Sequence, residues 1–391
     1  MAHVMRFGLV AGEASGDLLG AALIAALKER EPQAQFLGVT GPRMRAAGCE
    51  SLASTEELAV MGFVEPLRHL PRLMRLRARL LRSFSTAGLD AFIGIDSPAF
   101  NLGLARRLRE RGLVTVQYVS PQVWAWRPGR VRKIAAAVDC VLCVLPFEAA
   151  FYAGHDVRAE FVGHPLADQV PLDVDHAAAR AALGLAGEAP VVALLPGSRE
   201  GEVTRLGPTF VAAARELSAG LSTAPRFVAP MANAHAREIF SRDVGKAGVP
   251  VQLLDGQSGL ALAAADVALV ASGTATLETL LYRCPMVVAY RVAPLTAFLA
   301  RDLGLVKVKH VSHPNLLAGE ELVPELLQEA ATPAALAAAL RSALEDLPRR
   351  AMLRDRFEAI HLQLRQGASE RAADTILSLL AARRGARQGN P

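Results

Sequence analysis

The sequence predicts an α/β protein built from two doubly wound, Rossmann-like parallel-sheet domains in tandem, with a cleft between them and a helical C-terminus. Three observations predict it. Apolar runs of strand length alternate with longer helical patterns, as in βαβ units on a parallel sheet. One device, an apolar strand running into a glycine turn and then a helix, occurs twice, at Leu9-Val-Ala-Gly-Glu-Ala-Ser-Gly-Asp17 and at Leu194-Leu-Pro-Gly-Ser-Arg-Glu-Gly201. Between the two, residues 168–175 (Asp-Gln-Val-Pro-Leu-Asp-Val-Asp) break the rhythm. The 391 residues suffice for two or three domains and a large core without disulfides.

Strands are expected at 6–11, 35–39, 91–95, 114–119, 140–145 and 159–162, then at 191–195, 226–229, 251–254, 266–270 and 286–290. They are short and mostly apolar, as strands covered on both faces must be. Helices fill the gaps, for example at 17–30, 99–112, 201–219 and 274–282. After Pro333 the chain reads as Ala/Leu-rich helix to about residue 383, and the Gly/Arg-rich tail beyond reads as frayed. The expected organisation is a first domain over 1–170, a second over 176–345, and helices 346–383 packing across both. In such sheets ligands sit beyond the carboxyl ends of the strands.

Composition narrows the function classes. The chain is 52% hydrophobic and 21% charged, which argues against disorder. No unbroken apolar run reaches the ~18 residues of a membrane-spanning helix. The chain runs into its first strand without a basic leader, so a cytoplasmic location is expected. Cys49, Cys140, Cys143 and Cys284 fit a reducing compartment. Cys140 and Cys143 spell C-x-x-C, but inside a strand, whereas a redox pair wants a helix N-terminus. No metal-ligand pattern appears, and no resident cofactor is expected. Asp173-Val-Asp175 sits in the linker, where Asp175 reads as a helix cap.

Four stretches could carry chemistry. Gly12-Glu13-Ala14-Ser15-Gly16-Asp17 follows a strand and opens a helix. Its glycines let backbone approach a ligand and its helix N-terminus favours an anion; alternatively Ser15 or Asp17 caps the helix, and the two readings stay even. Asp96, in Ile95-Asp-Ser-Pro-Ala-Phe-Asn101, ends an apolar strand and is placed to face the cleft mouth, with capping as its alternative. Tyr118-Val-Ser-Pro-Gln-Val-Trp-Ala-Trp-Arg127 holds both tryptophans, Trp124 and Trp126, which could stack on a sugar or serve the core. Ala271-Ser272-Gly273-Thr274-Ala275-Thr276-Leu277-Glu278 presents backbone N–H groups at a helix start, a natural diphosphate cradle. Glu278 could accept from ribose hydroxyls, and Arg199, in the turn Gly197-Ser198-Arg199, would offset diphosphate charge.

The net charge is +5, and six arginines without an acid lie between Arg68 and Arg82. Leu73, Leu76 and Leu80 form one helical stripe in this stretch, preceded by the apolar Val60-Met-Gly-Phe-Val64. Segment 60–82 therefore reads as an interfacial helix on an anionic membrane surface, against the plainer reading of a core-facing helix with a solvated basic side. Nothing in the sequence supports a nucleic-acid partner.

Taken together, Val10-Ala-Gly-Glu-Ala-Ser-Gly-Asp17, Gly41-Pro-Arg-Met44, Glu57-Leu-Ala-Val-Met-Gly62, Tyr118-Val-Ser-Pro-Gln-Val-Trp-Ala-Trp126, Leu145-Pro-Phe-Glu148, Leu195-Pro-Gly-Ser-Arg199, Ala271-Ser-Gly-Thr-Ala275, Cys284-Pro-Met-Val-Val288 and Pro314-Asn-Leu-Leu-Ala-Gly319 resemble the lipid-A-disaccharide synthase family. They span nearly the whole chain, in order. The resemblance implies a GT-B fold and an inverting transfer of sugar from UDP-2,3-diacylglucosamine to 2,3-diacylglucosamine 1-phosphate (lipid X). By position it makes Asp96 the candidate general base. It puts Glu13 and Ser15 in the first glycine-rich loop, and Arg199, Glu278 and Asn315 on the nucleotide-binding side, with Ser272, Gly273 and Thr274 in the cradle. The family often has a second acid where this chain has Ala99, which leaves Asp96 the one acid of its motif. It further implies a peripheral association with the inner membrane and leaves a homo-oligomer open. A nucleotide-sugar 2-epimerase of similar two-domain build is the alternative; it would act on a water-soluble substrate and need no basic-apolar helix.

Overall fold

Each apolar run becomes a strand of one of two parallel sheets. The computed structural model describes residues 3–59, 66–124, 128–185, 187–291 and 309–388. The first sheet contains β1 (Arg6–Ala11), β2 (Gln35–Thr40), β3 (Cys49–Ser54), β4 (Ala91–Ile95), β5 (Val114–Tyr118), β6 (Cys140–Cys143) and β7 (Ala159–Phe161), in the order β3-β2-β1-β4-β5-β6-β7. The second contains β8 (Val191–Leu195), β9 (Arg226–Met231), β10 (Val251–Asp255), β11 (Val267–Ala271), β12 (Met286–Tyr290) and β13 (Glu325–Leu327), in the order β10-β9-β8-β11-β12-β13. Each order reverses once, between β1 and β4 and between β8 and β11. At such a switch point the connections leave in opposite directions, opening a crevice at the carboxyl ends of the strands.

All eleven expected strands are present, and β3 and β13 are additional. Both lie at sheet edges, where a strand is paired on one side only. The polar sequence of β3, Cys-Glu-Ser-Leu-Ala-Ser, suits an edge, and β13 has only three residues.

The helices that bear on function are α1 (Ala14–Arg30), α2 (Pro42–Ala46), α3 (Pro66–Thr86), α4 (Pro98–Arg109), α5 (Pro146–Tyr152), α6 (Glu200–Gly220), α7 (Ser258–Ala264), α8 (Thr274–Leu281), α9 (His313–Ala318) and α10 (Ala368–Gln388). The chain divides into two units, Met1–Asp168 with Leu364–Pro391, and Gln169–Gln363. In the first, α10 packs on α1, and Arg30 pairs with Asp374. The Asp168 carboxylate accepts the N–H groups of Gly367 (3.0 Å) and Ala368 (2.7 Å), fixing the start of α10. Arg384 reaches Asp90 at 3.0 Å, and the helix runs to Gln388, where the sequence suggested a frayed tail from 383. In the linker, Asp175 accepts the N–H of Ala178 at 2.9 Å, so this half of the D-x-D is the expected helix cap. All four cysteines are free and buried, and burial pushes the Cys140 thiol up to about 12.

Helix α3 corrects one expectation. Leu76 and Leu80, read as part of an interfacial stripe, are buried in the first unit's core with Phe84, Phe92 and Phe100, and Leu73 packs against them. Arg77 turns inward too: its guanidinium lies 4.9 Å from the Phe100 ring and donates to the Ala99 carbonyl at 3.2 Å. Arg72, Arg75, Arg79 and Arg82 are exposed, together with two large apolar residues, Leu70 and Met74. Residues 60–65 lie outside the described residues. The orientation of α3 makes a testable contrast. Leu80→Ala should lower the stability measured by urea unfolding by about 2–5 kcal/mol, whereas Met74→Ser should change it by no more than about 0.5 kcal/mol.

Candidate active site

In the first unit the chemistry gathers where β1 and β4 end side by side. β4 stops at Ile95, and Asp96 and Ser97 are both left-handed, with φ of 51° and 41°. Such a backbone costs about 1–3 kcal/mol per residue and persists only where the surroundings impose it. Here the Asp96 N–H donates to the Tyr118 carbonyl (2.9 Å). The Asp96 carbonyl accepts two side-chain amides, Asn101 Nδ2 at 2.8 Å and Gln117 Nε2 at 2.9 Å, from residues that are both buried. Gly94 makes room for them: a Cβ there would come 2.8 Å from that of Asn101. The half-buried Asp96 side chain has no hydrogen bond or ion pair among the described residues. The cap position of α4 belongs to Ser97, so Asp96 is not the helix cap.

Gly12 brings the first glycine turn against this one. A Cβ on Gly12 would lie 1.7 Å from Ser97 Oγ, a distance no side chain tolerates. Glu13 holds the cap position of α1 without a side-chain cap bond, and Glu13 and Ser15 are both exposed. Asp17 caps a helix, though not its own. Its buried carboxylate accepts the N–H groups of Gly41 (2.8 Å), Arg43 (2.9 Å) and Met44 (3.0 Å), which open α2.

The tryptophan segment leaves β5 beside Asp96. Trp124 is half-buried, and its indole N–H donates to Glu148 at 3.1 Å. Trp126 lies outside the described residues.

In the second unit the corresponding position is the end of β11. Ser272 is tied by its N–H to the Ala289 carbonyl (3.1 Å) and by its hydroxyl to the Val311 carbonyl (2.9 Å). Gly273 has φ 133°, which only glycine adopts readily, and Thr274 opens α8 in an exposed position. The first N–H groups of α8 have no partner within the helix, as at any helix start. His313 supports the turn from α9. Its Nδ1 is 3.2 Å from the Gly273 carbonyl and 3.0 Å from the Thr276 hydroxyl, and burial pushes its pKa down to about 4, so the ring is neutral.

Glu278 is half-buried and accepts the Ser258 hydroxyl at 2.6 Å; burial pushes its carboxyl up, and this bond moderates the rise. Two residues carried over by resemblance sit differently from expectation. Asn315 is fully buried and saturated: Nδ2 donates to the Val323 carbonyl and Glu325, and Oδ1 accepts the N–H groups of Leu322 and Val323, all within 2.9 Å. It organises its segment and offers no free group to a nucleotide. The turn at Arg199 is likewise engaged. The N–H groups of Ser198 and Arg199 donate to Glu202 Oε2 (3.1 and 3.3 Å), and the Arg199 guanidinium pairs with Oε1 at 3.3 Å. An internal carboxylate occupies the seat that was read as a second phosphate turn.

Sequence reasoning missed Asn101, Gln117 and His313. Gln117 had a visible signal, an amide inside the apolar run Val-Thr-Val-Gln-Tyr. Among the described residues no group of three or more His, Cys, Asp or Glu could hold a metal ion.

Two doubly wound parallel-sheet units, each with a glycine-containing turn beside its switch point, define the GT-B architecture. CalG4, the calicheamicin glycosyltransferase, shares it with a TM-score of 0.59 at 17% identity, over 97% of this chain and 99% of that one. The UDP-GlcNAc 2-epimerase of Neisseria meningitidis does so with a TM-score of 0.65 at 11% identity, over 96% and 100%. The chain belongs to the lipid-A-disaccharide synthetase family, whose sequence model matches residues 7–378. It is 54% identical to the lipid-A-disaccharide synthase of Azotobacter vinelandii over 381 residues, 97% of this chain and 99% of that protein.

The Asp96 turn can be tested through its supports. Asn101→Leu removes one of two buried donors to the Asp96 carbonyl and should cost about 1–3 kcal/mol in urea unfolding. Gly12→Ala should displace Ser97 and lower kcat by about 10²-fold, the scale of a 1 Å misplacement. An unchanged kcat would show that the contact between the two turns is incidental.

Proposed function

We propose that this chain transfers the diacylglucosamine unit of UDP-2,3-diacylglucosamine to the 6-hydroxyl of 2,3-diacylglucosamine 1-phosphate, releasing UDP and the β-1,6-linked lipid A disaccharide 1-phosphate. The observation that carries the reading is the family match over nearly the full chain, with an unpartnered carboxylate at the end of β4. The donor is an α-glycoside and the product a β-glycoside, so one displacement suffices. The acceptor O6 bonds to the anomeric carbon as the bond from that carbon to the diphosphate oxygen breaks. Asp96 takes the O6 proton, and UDP leaves with the bonding pair. A positioned base is worth about 10²–10⁴-fold.

The second unit supplies the nucleotide's seat. The N–H groups that open α8 at Thr274 favour the diphosphate, with Ser272 and Gly273 shaping the turn. Glu278 is placed for ribose hydroxyls beside Ser258. Arg199 neutralises the leaving group once it exchanges Glu202 for phosphate oxygens. Glu13 and Ser15 present unengaged polar groups near the Asp96 turn, suited to the acceptor. The epimerase reading is not favoured, because the likeness to that enzyme is one of fold at 11% identity.

Both substrates carry acyl chains, so the reaction belongs at a membrane surface. No described helix is long and apolar enough to cross a membrane. Helix α3 supports attachment to the inner membrane from the cytoplasmic side. Leu70 and Met74 lie one turn apart and exposed, beside four solvent-facing arginines, each worth on the order of 1 kcal/mol on an anionic bilayer.

Three experiments follow. Asp96→Asn should retain UDP binding by calorimetry and lose about 10²–10⁴-fold in turnover; equal loss of both would contradict the base assignment. With wild-type protein, UDP should appear only when both lipids are present. Leu70→Glu with Met74→Glu should release the protein from anionic vesicles in a flotation assay, and so should charge reversal at Arg72, Arg75 and Arg79. Persistent flotation in both variants would assign α3 a purely structural role.

A further inference from the structure

Both tryptophans stand in the segment that leaves β5, and that segment begins under strain. Val119 has φ of 71°, a conformation that β-branched residues avoid. Its N–H donates to the Leu142 carbonyl (3.1 Å), and its carbonyl accepts Gln117 Nε2 at 3.3 Å. The same amide holds the Asp96 carbonyl. The segment and the catalytic turn therefore share one support.

The other end of the segment hangs on Glu148, in the first turn of α5. Glu148 is only 2% exposed. One carboxylate oxygen accepts the Trp124 indole N–H, and the other accepts the Leu145 N–H, each at 3.1 Å. The Trp124 ring meets Phe147 edge-on with centroids 4.8 Å apart, and Ser120 Oγ is 3.0 Å from Tyr152 Oη. Among the described residues no cation pairs with this carboxylate. The titratable groups facing it are Cys143 of β6 and Tyr152 of α5, both kept neutral by burial, with the Ser120 hydroxyl alongside. A cap for α5 alone could come from an exposed Ser or Asp at little cost. A buried carboxylate without a counter-charge is expensive, and the indole bond is what it adds.

We propose that Glu148 is a positioning residue of the transfer reaction: its carboxylate ties Trp124, and with it the strained segment beside Asp96, to the first turn of α5. Burial raises the Glu148 carboxyl to about 7, and its hydrogen bonds moderate that rise. Above this value both oxygens accept. Below it one oxygen carries a proton and becomes a much weaker acceptor, so one of the two anchors is loosened. The effect on turnover rests on Asp96 being the base, whereas the anchoring does not.

The protein carries its own reporter, since all tryptophan emission comes from Trp124 and Trp126. Wild-type emission should shift with a midpoint near pH 7, and Glu148→Gln should abolish this titration. Glu148→Gln, which keeps an acceptor for the indole, should retain most activity. Glu148→Leu should lower kcat by about 10²-fold. Trp124→Phe should do the same while leaving α5 capped, so a folding defect in Glu148→Leu does not leave the idea unexamined. Asp96→Asn should titrate like wild type, so failure of the base assignment would appear in turnover alone. A wild-type emission that stays flat across neutral pH, together with full activity in Trp124→Phe, would overturn the proposal and leave Glu148 as a helix cap.

Discussion

The candidate site of the first unit depends on two buried amides meeting one carbonyl. Asn101 and Gln117 both donate to the Asp96 main chain, which holds a left-handed turn that Asp and Ser would not otherwise keep. Fixing Asp96 through its backbone leaves the side chain free. A carboxylate held by its own oxygens would be spent on structure, as those of Asp17 and Glu325 are. Three of the six left-handed non-glycine residues among those described, Asp96, Ser97 and Val119, cluster where β4 and β5 end. Strain concentrated this way marks a place where geometry is maintained at the expense of stability.

The second unit follows a different rule. Its candidate turn, Ser272 to Thr274, is supported from behind by neutral groups: a serine hydroxyl on a carbonyl, a glycine in the left-handed region, and an uncharged imidazole. No acid in that support competes with an anion for the N–H groups of Thr274 and Ala275, and the Thr276 N–H is spent on the Gly273 carbonyl. At Arg199 the two backbone N–H groups of the turn and one guanidinium nitrogen already face Glu202. That carboxylate offsets the arginine's charge, so any phosphate must exchange for it. The two turns resemble each other in sequence, yet one is open and the other held by an internal acid.

Helix α3 combines two jobs through its periodicity. Leu73, Leu76, Leu80 and Phe84 face the core, Arg72, Arg75, Arg79 and Arg82 face water, and Arg77 is inserted beneath the first turn of α4. Arg77 links the exposed basic side of α3 to the helix that follows Asp96, so the two lie on adjoining elements of one unit. The large apolar side chains that α3 exposes among the described residues are Leu70 and Met74, not the leucine stripe.

Eleven of the strands, the cap at Asp175 and the interior cysteines were legible in the sequence, because each follows from local pattern: apolar runs, turn residues and helix periodicity. The strand order, and with it the two switch points, was not, since it depends on which strands pair at long range. So was Asp96 as the acid at the end of a central strand. Edge strands β3 and β13 were not, since a strand paired on one side need not be apolar. The partners of Asp17, Asn101, Glu148 and Asn315 were not either. A sequence states which polar residues exist, and folding decides which hydrogen-bonding positions are consumed. Asp17 caps a helix whose donors begin 24 residues away, Trp124 finds Glu148 across another 24, and Asn315 spends its amide on its own segment. Local pattern determined the two sheets and the kind of chemistry available. Long-range hydrogen bonding alone decided which carboxylates stayed free to perform it.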